Sequence, residues 1–323
     1  MTTRLSAAIN SQPEELERVS ELEVETWAAQ LAGCDRLWLI GTGSSQHCAE
    51  LGALMFQEAG LDARWASASQ FVRWLPPTRK GDGVVVISHT AETAFAIAAR
   101  ERALGSGAAV VSITGIGSGW PEAFETVPQE RSETYTVSYT VALVTLVRLA
   151  AELGATEPVA EDISRATLRV RDLLTDSQVV DLPRSPRLLA LAGAGPSAIT
   201  AREGALKVRE ASRTLAEGFE AEYLLHGSAV PLGEDDALLL LQPALDPDGL
   251  VAALGEAAEA EGIFVATVHE PGFEHRVLDQ IPLTVHLQLL AAHLADRNGT
   301  DPDQAITGRW ADDRLWSLGR PGG

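Results

Sequence analysis

Short apolar runs alternate with amphipathic stretches along most of the chain. The first run, Leu37-Trp38-Leu39-Ile40, ends in a Gly- and Ser-rich turn at 41–45 and precedes helix-compatible sequence through Ala59. Runs at 84–87 and 108–113 enclose a helical stretch that starts near Thr93, and runs at 237–241 and 263–268 enclose another at 250–261. This alternation predicts an α/β fold, with parallel sheets covered by helices on both faces.

The pattern occurs twice at a constant spacing. Adding 152 to Gly43 gives Gly195, and adding 152 to Ser45 gives Ser197; Gly52-Ala53-Leu54 likewise gives Gly204-Ala205-Leu206. Several identities at one offset indicate an internal duplication.

The duplication predicts a domain plan. We expect a helical, amphipathic segment at 1–30, a first subdomain at 31–155, a partly helical connection at 156–186 and a second subdomain at 187–323. The last residues, Gly319 to Gly323, are expected to be loose.

Charge narrows the choice of partners. Hydrophobic residues make up 46% of the 323 positions, enough for a buried core, but the formal net charge is −20 and the two lysines are Lys80 and Lys207. Nucleic-acid affinity comes largely from cations that replace counterions, so nucleic acid is not expected as a partner. An anionic substrate would have to be held by hydroxyls, backbone N–H groups and helix N-termini.

No stretch resembles a secretion signal or a membrane span. Cys34 and Cys48 have neither metal-ligand spacing nor the density of a disulfide framework. We therefore expect a cytoplasmic protein that uses no metal and no membrane, with neither cysteine a strong catalytic candidate.

The first candidate site is the turn Gly43-Ser44-Ser45, where small residues would let an anion approach a helix N-terminus. A dinucleotide fingerprint would need a third glycine where Gln46 and, in the second copy, Ala198 stand. NAD is thus the weaker alternative. A tight structural turn could account for the second copy.

A second hydroxyl cluster, Ser88-His89-Thr90-Ala91-Glu92-Thr93, follows the run at 84–87. Helix capping needs one hydroxyl and a later acid, whereas three hydroxyls at a helix start can also wrap a phosphate. The positions 152 residues later, 240–245, lack such a cluster. Phosphate binding is therefore assigned mainly to the first half.

The second half concentrates ionisable residues. Glu203, Lys207 and Glu210 share one helical face. An exposed Glu-Lys-Glu ladder, at a few tenths of a kcal/mol per pair, is the simpler interpretation. The neighbouring Glu217, Glu222 and His226-Gly227 favour a catalytic one.

Together these motifs resemble the isomerase half of glucosamine-6-phosphate synthase and other members of the SIS (sugar isomerase) family. The resemblance covers nearly the whole chain and rests on 12–16, 43–45, 88–93, 203–210, 216–217, 226–227 and 299–304. It implies two subdomains, each a doubly wound five-stranded parallel sheet flanked by helices, and a homodimer with sites near the subunit contacts.

The resemblance also implies roles for single residues. Glu210 resembles the base that moves a proton between C1 and C2 of a sugar phosphate, with Lys207 and Glu203 as its partners. His226 resembles the ring-opening acid/base, which in the family can reach the neighbouring subunit's sugar. The residues that resemble the substrate binders are Ser44, Ser45, Ser88, His89, Thr90, Thr93, Thr136 and Ser138.

This chemistry is physically consistent. Interconverting a ketose and an aldose through an enediol needs a carboxylate near C1 and C2, and histidine can donate or accept a proton near neutral pH. Lys207 beside Glu210 is expected to favour the charged carboxylate. No metal or redox cofactor is required.

The departures from the family pattern matter as well. His89, Thr90 and Ala91 replace the middle of a loop that often reads Ser-Gln-Ser-Gly-Glu-Thr, and Arg309-Trp310 stand where the synthase has a C-terminal lysine. Leu225 and Ser228 replace lysine and proline around the histidine. The synthase reaction itself is not expected, because it needs a glutaminase domain with a cysteine nucleophile.

Three hypotheses follow. The first is a stand-alone phosphosugar aldose-ketose isomerase or amino-sugar-phosphate deaminase. The second is a regulatory protein that binds a sugar phosphate without converting it, and the third is a deglycase that acts on a fructosamine phosphate.

Overall fold

The computed structural model describes residues 3–154, 159–176, 179–182, 185–270, 272–273 and 277–322. These residues form two compact units that interleave along the chain. The first-sheet unit comprises Glu14–Glu130, Val137–Ile163 and Ile306–Gly323. The second-sheet unit comprises Met1–Pro13, Arg131–Thr136 and Ser164–Ala305. The predicted functional division into 31–155 and 187–323, with 156–186 as the connection, stays a prediction.

The first sheet has five parallel strands in the order β2-β1-β3-β4-β5. Its strands are β1 (Arg36–Gly41), β2 (Ala63–Ser67), β3 (Asp82–Ile87), β4 (Ala109–Thr114) and β5 (Ala123–Glu125). The helices that lie wholly in this unit are α3 (Glu25–Leu31), α4 (Ser44–Glu58), α5 (Ala68–Arg73), α6 (Ala94–Gly105), α7 (Val137–Glu152), a 3-10 turn (Gly308–Ala311) and α13 (Asp313–Trp316). Two further helices have residues in both units: α2 (Gln12–Ser20) and α8 (Val159–Thr175).

The second sheet has four parallel strands among the described residues, in the order β7-β6-β8-β9. Its strands are β6 (Leu189–Gly193), β7 (Ala216–Glu220), β8 (Ala237–Gln242) and β9 (Phe264–His269). Its helices are α1 (Arg4–Asn10), α9 (Pro196–Ser212), α10 (Ala221–Tyr223), a π-helical turn (Leu224–Ser228), α11 (Leu250–Ala260) and α12 (Gln280–Asn298). The α/β fold with two parallel sheets is thus confirmed, but the described second sheet lacks the fifth strand that the resemblance implies.

Both sheets are buried on two faces, which explains their continuous apolar runs. In the first, Trp38, Val84 and Val86 pack with Ala96 and Ala99 of α6. In the second, alternate residues point to opposite clusters: Leu239 packs toward α9 and α12, and Leu240 toward α11.

The duplication extends to an ion pair between an arginine and a buried aspartate at the amino edge of each sheet. Arg36 bonds Asp82 at 2.7 Å, and Arg187 bonds Asp236 at 2.6 Å. Both aspartate side chains are 1% exposed. Each pair links the start of one strand to the start of its neighbour, β1 to β3 in the first sheet and β6 to β8 in the second. The same type of ion pair therefore supports the alignment of these two strands in both copies.

The first thirty residues contain three helices, α1 to α3, as their amphipathic pattern predicts. Gly319 lies against the ring of Phe95 in α6, so this part of the tail, expected to be loose, is packed. Among the described residues, no helix combines the length and the apolar character needed to cross a membrane.

Candidate functional site

The turn after β1 lies at the point where the strand order of the first sheet reverses. β1 is flanked by β2 and β3, so the connections that follow β1 and β3 leave the sheet in opposite directions. Gly43 has φ 60° and ψ −129°, a conformation that only glycine adopts readily, and α4 starts at Ser44. A Cβ at Gly41 would collide with the Ser45 carbonyl. The glycines therefore bring Ser44 and Ser45, both half-buried, to a helix N-terminus at this crevice.

The loop after β3 lies beside that turn, because β1 and β3 are adjacent parallel strands. Ser88 is buried, Thr90 accepts a hydrogen bond from the Glu92 N–H at 3.2 Å, and Ala91 has φ 57°. Alanine in this left-handed region stores strain of a kind that clusters at functional sites. The structure thus brings the hydroxyls predicted at 44–45 and 88–93 to one edge of one sheet.

α6 begins in this loop without an internal cap. Thr93 occupies the N-cap position but makes no side-chain capping bond. The first amide that bonds back to it is Ile97, so the N–H groups of Ala94, Phe95 and Ala96 have no intrahelical acceptor. An N-terminus of this kind can accept an anion.

The ring of His89 points into the protein rather than out of the loop. Its Nε2 accepts a hydrogen bond from the Glu130 N–H at 2.9 Å, and its carbonyl accepts from the Gly115 N–H at 2.8 Å and from Gln129 at 3.0 Å. Burial lowers the pKa of His89, and the Glu130 charge opposes this only partly.

Thr136 and Ser138, predicted together, differ in their surroundings. The Ser138 N–H donates to the Glu130 carboxylate at 2.9 Å, at the start of α7 in the first-sheet unit. Thr136 belongs to the second-sheet unit, where its carbonyl accepts from Gln288 at 3.4 Å. Their predicted shared role in substrate binding stays a prediction.

The ionisable cluster lies on α9 of the second-sheet unit. Glu203 and Lys207 have side chains 0% and 1% exposed, and Glu210 is 19% exposed. Lys207 Nζ lies 2.6 Å from Glu210 Oε2 and 3.6 Å from Glu203 Oε1. The exposed-ladder interpretation is therefore wrong. A lysine held between two carboxylates inside a protein is costly unless the charges compensate one another.

α9 packs closely against α12. A Cβ at Gly204 would overlap the side chain of Leu287, so glycine lets α12 approach α9 closely. Thr200 also donates to Gln280 of α12 at 2.7 Å.

The pKa of Glu210 is raised above that of an ordinary glutamate. Burial is the largest cause, the charge of Glu203 adds to it, and Lys207 acts in the opposite direction. The sequence-based expectation that Lys207 would favour the charged form has the right direction, but burial outweighs it. A carboxyl with a raised pKa can both take up and release a proton nearer neutral pH.

His226 lies in the π-helical turn after β7. Its side chain is 71% exposed and its Nε2 is 3.7 Å from Glu222 Oε1, which is also 71% exposed. Gly227 follows with φ 109°, which favours glycine. In the single chain, the histidine is thus an accessible imidazole beside an exposed carboxylate.

The profile of the SIS domain matches residues 30–124, which contain β1 to β5, the Gly43 turn and the 88–93 loop. The chain contains a SIS domain. The matched segment coincides with the sheet whose carboxyl edge carries the hydroxyl cluster.

Relatives extend the likeness beyond the SIS domain. The isomerizing glutamine–fructose-6-phosphate aminotransferase of Thermococcus kodakarensis is 26% identical over 315 residues, covering 87% of this chain and 52% of that protein. The counterpart from Gloeobacter violaceus is 29% identical over 312 residues and is covered to 51%. The chain thus spans about half the length of the curated relatives it matches.

Solved structures share the fold. Glucosamine-6-phosphate deaminase from Thermotoga maritima superposes with a TM-score of 0.78 at 19% identity, covering 93% of this chain and 97% of that one. Tagatose-6-phosphate ketose/aldose isomerase from Escherichia coli gives 0.78 at 16% identity, with coverage of 95% and 96%.

The second sheet repeats the geometry of the SIS domain's turn but not its chemistry. Gly195 has φ 56° and ψ −130°, close to the values at Gly43. At α11, the counterpart of α6, the Asp246 carboxylate accepts from the Leu250 and Val251 N–H groups at 3.1 and 3.2 Å. An internal carboxylate thus occupies the helix start that the SIS domain leaves uncapped.

The sequence-based prediction did not identify three residues that contribute to these sites. Gln129 and Glu130 hold His89 from a loop 40 and 41 positions away, and no local pattern marks them. Asp246 could have been found, because an acid shortly before a predicted helix is a capping signal. Arg309 and Trp310, which the resemblance predicts to stand in place of a lysine, lie in an exposed 3-10 turn of the first-sheet unit.

Proposed function

We propose that the protein is a phosphosugar aldose-ketose isomerase or an amino-sugar-phosphate deaminase that works through an enediol-type intermediate. The observation that carries the proposal is the buried Glu203, Lys207 and Glu210 cluster, in which Glu210 has a raised pKa. Buried charges with perturbed pKa values are typical of acid/base sites. The relatives named as aminotransferases, deaminases and isomerases of sugar phosphates support the same class.

In the proposed mechanism Glu210 takes the proton from one of the two carbons C1 and C2 and returns it to the other. Its carboxyl must be charged to accept the proton and protonated to give it back, and a raised pKa reduces the cost of the second state. Lys207, 2.6 Å away, stabilises the charged state, and Glu203, 3.6 Å from Lys207, is a second carboxylate beside that buried lysine. His226 is the proposed acid/base for ring opening.

The proposed phosphate ligands are Ser44, Ser45, Ser88, Thr90 and Thr93, with the first turn of α6. The contrast between the two copies supports this choice. α11 receives the Asp246 carboxylate, whereas α6 has hydroxyls and no acid at its first turn. Because the chain has a formal net charge of −20, an anion would have to be held by local donors of this kind.

Thr93→Ala tests the phosphate site. Because Thr93 makes no capping bond, the free energy of unfolding should change by less than about 0.5 kcal/mol. Loss of a hydrogen bond to a charged group should raise the Kd for glucosamine 6-phosphate about tenfold or more. Calorimetry and thermal unfolding provide the two measurements.

The matched control is Ser67→Ala, which removes a real cap, since Ser67 accepts from the Gln70 N–H. That variant should lose about 1 kcal/mol of stability and keep its affinity. If Thr93→Ala instead behaves like Ser67→Ala, the loop hydroxyl is structural and the assigned phosphate site is wrong.

A regulatory protein or a deglycase is the second candidate. Two features support this second candidate. Exposed Arg309 and Trp310 stand where the resemblance predicts a lysine, and the loop is altered at His89 and Ala91. Incubation with fructose 6-phosphate, glucosamine 6-phosphate and a fructosamine 6-phosphate in deuterated water would separate the candidates. Exchange of a proton at C1 of the two ketoses or at C2 of glucosamine 6-phosphate supports an enzyme, and tight binding without exchange across the panel supports a sensor.

The proposed homodimer places His226 in the partner's site, which a mixing experiment can test. Glu210→Gln and His226→Ala dimers are each expected to be inactive. A mixed dimer would combine an intact Glu210 from one chain with an intact His226 from the other in one of its two sites. An equimolar, fully exchanged mixture should therefore regain about a quarter of wild-type activity. If subunits exchange by mass spectrometry and no activity returns, His226 does not act across the dimer.

A further inference from the structure

We infer that His89 is a positioning residue: as a neutral imidazole it clamps the loop 88–93 to the Glu130 backbone, and its protonation releases that loop. This inference rests on the proposed function, because it concerns the loop proposed to bind the phosphate. The resemblance implies instead that His89 lines the pocket, so the two roles make different predictions.

Hydrogen bonds hold His89 through both its ring and its backbone carbonyl. Its ring accepts from the Glu130 N–H at 2.9 Å, and its own carbonyl accepts from Gly115 at 2.8 Å and Gln129 at 3.0 Å. Ser88 and Thr90 flank it directly. Fixing His89 therefore fixes the backbone between the two hydroxyls.

Gly115 is part of the same fit. A Cβ added there would lie 2.7 Å from His89 Cε1 and 2.9 Å from Nδ1. The imidazole thus rests against bare backbone at the end of β4, in a space that a larger residue at 115 would take. A side chain held this closely keeps one orientation.

Glu130 extends the clamp to the next helix. Its N–H holds the His89 ring, and its carboxylate accepts from the Ser138 N–H in the first turn of α7 at 2.9 Å. A carboxylate at this position is favoured by the helix dipole. The loop 88–93 is therefore tied, through one residue, to the start of a 16-residue helix.

The hydrogen bond defines the protonation state. A ring nitrogen that accepts an N–H must carry a lone pair, so Nε2 is unprotonated and the proton of the neutral ring lies on Nδ1. Burial lowers the pKa of His89, and the facing Glu130 carboxylate is the charge that opposes it, Gly115 and Gln129 being uncharged. At low pH, protonated Nε2 would become a hydrogen-bond donor facing the Glu130 N–H, which is also a donor. The hydrogen bond would then be lost and the clamp would open.

Two variants separate positioning from direct binding. In His89→Gln the amide oxygen can replace Nε2 as the acceptor but cannot titrate, while His89→Phe keeps a ring and offers no acceptor. His89→Phe should raise the Kd for glucosamine 6-phosphate about tenfold, and His89→Gln should keep most of the affinity. Between pH 7 and pH 5, wild type should lose more affinity than His89→Gln; the phosphate's own titration affects both equally.

NMR tests the clamp without any ligand. The expected results are an Nδ1–H tautomer for His89 at pH 7 and a lower protection of the Glu130 amide, relative to its intrinsic exchange rate at the same pH, in His89→Phe and in wild type at low pH. A charged ring or an Nε2–H tautomer at pH 7, unchanged Glu130 exchange in His89→Phe, or equal pH profiles for wild type and His89→Gln would overturn the inference. If wild type binds no sugar phosphate at all, the proposed function fails, and the tautomer and exchange still decide on the clamp.

Discussion

Glu210→Gln is expected to abolish exchange of the substrate's C2 proton and to leave sugar-phosphate affinity close to that of wild type. Removing a positioned general base costs about 10²- to 10⁴-fold in rate. Binding should survive because Glu210 is not one of the proposed phosphate ligands, which follow β1 and β3. NMR of the exchange in deuterated water and calorimetry of glucosamine 6-phosphate binding measure the two quantities.

The fold should tolerate this change. Glu203, Lys207 and Glu210 together carry one net negative charge when ionised, and glutamine at 210 leaves Lys207 paired with Glu203, 3.6 Å away. The control is Glu256→Gln, which neutralises an exposed carboxylate on α11 of the same unit and should leave exchange unchanged. Equal exchange rates for Glu210→Gln and wild type on a turned-over substrate would remove Glu210 from the proposed mechanism.

The raised pKa of Glu210 adds a pH dependence to this prediction. As a base, Glu210 acts when deprotonated, so kcat/KM should rise with pH through a value above that of an ordinary glutamate. Stability should change in the opposite sense: in that window the folded chain still holds a proton that the unfolded chain has released, so rising pH destabilises the fold. Glu210→Gln should remove this contribution to the pH dependence of stability.

The regular parts of the fold could be predicted because they are local. Apolar runs bounded by glycine correspond to β1, β3, β6 and β8, and the offset of 152 aligns β1 with β6 and α4 with α9. The number of strands was harder to predict, because a short edge strand buries few side chains and therefore has a weak apolar pattern. β5 has only three residues, and its expected counterpart does not occur in the described part of the second sheet.

The candidate site could be predicted only in part. Helical spacing places Glu203, Lys207 and Glu210 on one face, but spacing is the same for an exposed ladder and a buried cluster. Burial depends on how α9 packs in the folded chain, where for example Gly204 lies against Leu287 of α12, about 80 residues further along. The same limit applies to His89, whose side-chain direction depends on Glu130.

Lys207→Met is expected to destabilise the protein strongly. The side chain of Lys207 is 1% exposed and lies between two carboxylates that would lose their countercharge. Breaking a buried ion pair by removing one partner typically costs about 3–5 kcal/mol, and methionine retains most of the apolar stem, so lost packing contributes little. Denaturant unfolding at pH 7 should show this loss.

Two comparisons would identify buried charge as the cause of the stability lost in Lys207→Met. Without Lys207 the two carboxyls favour their neutral forms more strongly, so the deficit should shrink as the pH falls from 7 to 5 and protons bind the folded state. Adding Glu203→Gln and Glu210→Gln to Lys207→Met should recover most of the lost stability at pH 7, because no uncompensated charge remains. A deficit that is independent of pH and persists in the triple variant would mean instead that Lys207 supports the fold through its packing, and that its pairing with Glu210 serves the proton chemistry alone.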